Sequence, residues 1–92
     1  MRFQKSVPLI HKTGLHLRPA RRIMDAAGKF KCDIKLMYRG KTANAKSITD
    51  IILLAALPGA ELLIVTEGTD AQEAMTTLED VIVNSINRDE DI

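Results

Sequence analysis

Apolar residues in this chain recur with a period of two in some segments and 3.6 in others. Each segment is too short to bury a face alone, so strands and helices must cover one another. Phe3, Val7 and Leu9 share one face of a strand expected over residues 3–10, and Pro8 within it suits an edge, because proline donates nothing to a ladder. Leu17, Ala20, Ile23, Met24, Ala27 and then Phe30 form the stripe of a helix over 17–29, with Gly28 loosening its last turn. Cys32, Ile34, Leu36 and Tyr38 alternate with Asp33, Lys35, Met37 and Arg39, the mark of a half-buried strand. Arg39-Gly40 turns the chain into a short strand over 41–45. Ser47-Ile48-Thr49-Asp50 has capping-box spacing and opens a helix over 48–57, stopped by Pro58-Gly59.

The segment 61–67 carries Leu62-Leu63-Ile64-Val65, a continuous apolar run that suits a central strand, and Gly68 turns the chain. Asp70 and Glu73 then form a second capping box. The helix it starts has the stripe Ala71, Ala74, Met75, Leu78, Val81, Ile82 and Ile86, and the acidic tail 87–92 is expected to fray. The order is β-α-β-β-α-β-α, an α+β sandwich with its sheet covered on one face. Ninety-two residues suit one domain over 1–92.

No apolar run reaches the roughly 20 residues needed to span a bilayer, and no secretory signal is evident. The one cysteine, Cys32, cannot form an internal disulfide and fits a reducing cytoplasm, and its place on the apolar face of a strand suits the core. The formal charge of +1 hides an asymmetry: residues 1–46 hold twelve of the thirteen Lys and Arg, and residues 47–92 hold ten of the twelve acids. Arg18, Arg21 and Arg22 cluster around His16 and should attract phosphate or an acidic partner face. Aromatic residues are only 3% of the chain, which argues against nucleic acid as the partner of that patch.

The segment Gly14-Leu15-His16-Leu17-Arg18-Pro19-Ala20 concentrates the chemistry. Pro19 fits only a first helical turn, where its missing N–H loses no intrahelical bond. His16 then falls at the N-cap, near the positive end of the helix dipole, a setting that accepts anions. Spacing alone leaves two readings open. His16 is a plain N-cap residue, or its imidazole is a nucleophile that carries a phosphate held by Arg18. Imidazoles titrate close to neutrality and are largely neutral nucleophiles there.

That segment, with Asn44-Ala45-Lys46-Ser47 further along, resembles the histidine-containing phosphocarrier family HPr of the bacterial phosphotransferase system over nearly the whole chain. The resemblance implies an open-faced sandwich: a four-stranded antiparallel sheet, the fourth strand between the first and second, with three helices on one face. It implies that His16 takes a phosphoryl group on Nδ1 from phosphorylated Enzyme I, charged by phosphoenolpyruvate, and passes it to a histidine or cysteine of a IIA or IIB component. Arg18 matches the arginine that contacts the phosphoryl group, and Ser47 the serine that a dedicated HPr kinase/phosphorylase modifies in some bacteria. The protein would be a carrier and not an enzyme, a cytoplasmic monomer without cofactor or metal.

Two positions depart from the family pattern. Thr49-Asp50 stand where Met-Gly is usual, so a carboxylate would repel both a phosphate on Ser47 and an acidic docking surface. Leu17 replaces a small residue common after the histidine. Leu17, Pro19, Arg21, Ile48 and Ile52 are expected to contact partners, with Ile48 and Ile52 exposed; Arg21 and Arg22 face partners or solvent. Ser47 is equally well explained as an N-cap, and His11, at a strand end, as a surface or packing residue. The competing function is a regulatory binding module on the same fold, controlled at Ser47. An enzyme using His16 as general base finds no companion residues.

Overall fold

The computed structural model describes residues 1–89. Its organising element is β4 (Ala60–Glu67), which pairs antiparallel with β1 (Arg2–Leu9) on one side and β2 (Asp33–Tyr38) on the other. Strand β3 (Lys41–Asn44) completes the sheet beyond β2, in the order β1-β4-β2-β3. Pro8 thus lies on an edge strand, opposite Glu61, where the missing donor leaves no ladder bond broken. Arg39 and Gly40 join β2 to β3 with φ of 49° and 79°, the left-handed pair that a two-residue hairpin turn needs.

Helices α1 (Leu17–Ala27), α2 (Ile48–Leu53) and α3 (Ala71–Asp80) cover one face of the sheet, and the other face is open. Alternation along β4 sends Leu62, Ile64 and Thr66 towards the helices, where they meet Leu9, Ile23, Ile34, Leu36, Leu78 and Ile82 in one buried cluster. Burial of each such aliphatic side chain stabilises the fold by about 1.5–3 kcal/mol. Thr66 enters this core because its hydroxyl donates to the Ala71 carbonyl at 2.8 Å, so no polar atom is left unpaired. Lys5, on the same side of β1, reaches Glu79 of α3 at 2.7 Å.

Several local expectations need correction. Leu17 is 60% exposed and does not begin the buried stripe of α1. In the first turn Pro19 and Ala20 are the buried residues instead. Helix α2 ends at Leu53, because Ala55 takes a φ of 52° and Ala56 turns inward to bond the loop before α1. Ile48 is half-buried against the core, not exposed. Ser47 does cap α2, accepting from the Asp50 amide at 3.3 Å, but the Asp50 carboxylate turns to the Asn44 amide and leaves the box half made.

The second box does not form either. Asp70 sits at the N-cap of α3, but its carboxylate accepts from the amides of Lys31 and Cys32 at 2.8 and 2.9 Å, clamping the start of β2. After Asp80 the helix widens into a π turn over Val81–Ile86, closed by the Asn87 amide on the Ile82 carbonyl at 2.9 Å. Residues Asn87–Asp89 do not fray. Asn87 accepts from the Ile10 and His11 amides at 2.9 and 3.2 Å and donates to the Pro8 carbonyl at 2.8 Å, while Asp89 pairs with Arg22 at 2.6 Å. The remainder of that expected tail, 90–92, lies outside the described residues.

Cys32 is buried, as its place in the alternation required. Burial, and then the Asp70 carboxylate beside it, push its thiol up to about 11, so it is an inert core thiol at neutral pH. The amide of Lys31, chiefly, holds the Asp70 carboxyl below its ordinary value. A depressed carboxylate contributes stability above its unfolded-state value that is lost as pH falls through the folded-state value. Asp70→Asn should therefore lower Tm at pH 7 but bring mutant and wild type together as the pH is taken below about 4, in thermal melts followed by circular dichroism.

Candidate functional site

Between β1 and α1 the chain makes a tight loop with little backbone freedom. The Gly14 amide donates to the His11 carbonyl at 3.1 Å and the Leu15 amide to the Ala56 carbonyl at 3.0 Å. Gly14 has a φ of +68°, and a Cβ there would stand 2.5 Å from the Ala56 oxygen, so only glycine lets the loop lie against the segment after α2. Leu15 is buried and anchors the next step. His16 follows in extended conformation as the N-cap of α1, and its carbonyl accepts from the Ala20 amide at 3.0 Å. Its side chain makes no cap bond, so the ring is available for other chemistry.

The His16 ring is half-exposed, and its Nε2 lies 2.8 Å from the Thr13 hydroxyl. Among the described residues nothing bonds its Nδ1. Arg18 is exposed in the first turn of α1, two residues on. The helix end and this guanidinium make the setting favourable to an anion. Pro19 is buried and shapes that turn from within.

The arginine cluster is smaller than the sequence suggested. Arg22 is engaged within the chain: it donates to the Ser85 hydroxyl at 2.9 Å and pairs with Asp89. Arg21 is exposed and only loosely paired with Asp25 at 3.9 Å, a separation at which surface ion pairs contribute little. Ile52 is exposed at 38%, as expected. Leu53 and Leu57, which the helical pattern did not single out, are more so at 67% and 59%. Leu53 lies on the face of α2 opposite buried Ile51, and the early end of the helix leaves Leu57 outside it. The contact of the Thr13 hydroxyl with His16 needs the loop geometry and has no sequence signal. His11 is buried, with Nδ1 2.7 Å from the same hydroxyl and Nε2 on the Asp89 carbonyl.

No helix among the described residues is long and apolar enough to cross a membrane. A family model for the PTS HPr component phosphorylation site matches residues 3–84. The phosphocarrier protein HPr of Bacillus anthracis str. Ames is 42% identical, with a TM-score of 0.83 over 88% of this chain and 96% of that one. HPr from Thermoanaerobacter tengcongensis is 35% identical, with a TM-score of 0.88 over 96% and 98%. The catabolite repression HPr of Bacillus subtilis, Crh, is 38% identical, with a TM-score of 0.64 over 87% and 95%. The fold is that of a family of phosphoryl carriers, which are not enzymes. The chain belongs to the HPr family, the phosphocarriers of the phosphotransferase system, and works with components of that system.

Proposed function

We propose that His16 carries the phosphoryl group, on Nδ1, and that Arg18 holds its oxygens. The observation behind this reading is the half-exposed N-cap ring, whose Nε2 is turned to Thr13 while Nδ1 has no bonded partner among the described residues. The Nδ1 lone pair attacks phosphorus, and the bond from phosphorus to the donor's leaving nitrogen breaks with its electron pair. Positive charge that develops on the ring is stabilised at Nε2–H by the Thr13 oxygen, and negative charge on the phosphoryl oxygens by Arg18 and the helix end. A hydrogen bond to a charged group contributes roughly 1.5–3 kcal/mol and the helix end about 0.3–1 kcal/mol. Terms of that size hold the group without trapping it. Phosphoryl transfer asks mainly for positioning and charge neutralisation.

In this reading the donor is phosphorylated Enzyme I, charged by phosphoenolpyruvate, and the acceptors are a histidine or cysteine of IIA or IIB components. Leu17, Arg21, Ile52, Leu53 and Leu57 supply exposed contacts; half-buried Ile48 and buried Pro19 offer a partner less surface. Incubation with Enzyme I and phosphoenolpyruvate tests the assignment. One phosphoryl group should appear, be lost in acid as a P–N bond requires, and map to the peptide containing His16. An acid-stable label would refute it.

Regulation at Ser47 gains no support. Its hydroxyl is engaged in capping α2 and stands beside Asp50, whose charge opposes a phosphate and the approach of a kinase that would add one. Ser47→Ala is expected to cost about 1 kcal/mol of stability in urea titrations and to leave the rate of phosphoryl acceptance unchanged.

A further inference from the structure

We propose that His11 is a positioning residue for phosphoryl acceptance: acting through the Thr13 hydroxyl, it keeps the His16 proton on Nε2 and so keeps Nδ1 nucleophilic. This rests on the reading of His16 Nδ1 as acceptor. His11 is 4% exposed, deep for an imidazole, and both its nitrogens are engaged.

The directions of the bonds follow from which groups can donate. The Asp89 carbonyl only accepts, so His11 Nε2 carries a proton and donates to it. The Thr13 amide only donates, and it points at His11 Nδ1 from 3.3 Å, so that nitrogen is the lone-pair end of a neutral ring. The Thr13 hydroxyl, 2.7 Å from the same nitrogen, therefore donates to it. Its single proton is then spent, and toward His16 Nε2 at 2.8 Å it can only accept. His16 must present Nε2–H, which leaves the lone pair on Nδ1. Two backbone groups that cannot reverse their polarity set the tautomer of a ring they do not touch.

The far end of this relay is held in place. The His11 amide donates to Asn87 at 3.2 Å, and Asp89 is fastened by Arg22, itself bonded to Ser85. Residues Asn87–Asp89, far from His16 in the chain, thereby bear on the acceptor ring.

Nitrogen-15 NMR of the His16 ring in the intact protein, at a pH where the ring is neutral, reads the tautomer directly. Wild type should show a pyrrole-type Nε2 and a pyridine-type Nδ1. In His11→Leu the Thr13 hydroxyl loses its acceptor and is freed to donate to His16. The ring should move towards a mixture of tautomers, and phosphoryl acceptance from phospho-Enzyme I should slow about five-fold. His11→Asn, whose side-chain oxygen can replace Nδ1 as acceptor, should restore both. Wild-type tautomer and rate in a folded His11→Leu protein would overturn the inference. Should that variant not fold, Thr13→Val against His11→Asn decides. Loss of the tautomer preference in the first and its retention in the second supports the relay; any other pairing overturns it. Wild type labelled away from His16 would refute the acceptor assignment and leave the tautomer result standing.

Discussion

His16→Ala should abolish the acid-labile phosphoryl adduct, with residual labelling below detection in the Enzyme I and phosphoenolpyruvate assay. The size of the effect follows from chemistry, because the variant removes the atom to which phosphorus would bond. His11 cannot substitute. It is buried, and both its nitrogens are engaged in the loop. The fold should be nearly indifferent to the change, since the His16 side chain makes no cap bond and the ring is half-exposed. A stability change within about 0.5 kcal/mol is typical of such sites, so loss of labelling with an unaltered urea midpoint would separate chemistry from folding. Acid-labile label persisting in His16→Ala would remove the assignment of the site.

Ile64→Ala should give the largest loss of stability, about 2–5 kcal/mol. Ile64 is fully buried at the middle of the central strand, opposite Leu36 of β2 and Lys5 of β1. Truncation there loses the transfer free energy of three carbons and leaves a cavity between sheet and helices that close-packed neighbours fill only in part. Natural domains are stable by about 5–15 kcal/mol, so this single change removes a large share. The urea midpoint should fall with little change in the slope. Leu53→Ala provides the contrast: at 67% exposure it should shift stability by less than about 0.5 kcal/mol. A cost below 1 kcal/mol for Ile64→Ala would contradict the packing described.

Much of this architecture was readable from local patterns. Alternation located β1 and β2, a continuous apolar run located β4, the 3.6-residue stripe located α1 and α3, and the Pro19 rule placed His16 at an N-cap. These features depend on a few neighbouring residues and on which face is apolar. A local pattern misleads where it has two uses. Asp70 has the spacing of a capping box, yet its carboxylate serves the Lys31 and Cys32 amides, 38 and more residues away in sequence. Helix α2 had enough apolar residues to continue, yet it stopped at Leu53 because Ala56 is needed against Leu15.

By itself the sequence determined the order of elements, the edge position of β1, the apolar faces and the place of His16 at a helix start. Each of these follows from backbone sterics and from burial of side chains a few positions apart. Only the tertiary structure decided what surrounds that residue: the Thr13 hydroxyl shared between two imidazoles and the docking of Asn87–Asp89 against the site loop. Hydrogen bonds between residues over seventy positions apart leave no period in a chain. They exist once packing of sheet against helices has brought both partners to the same place.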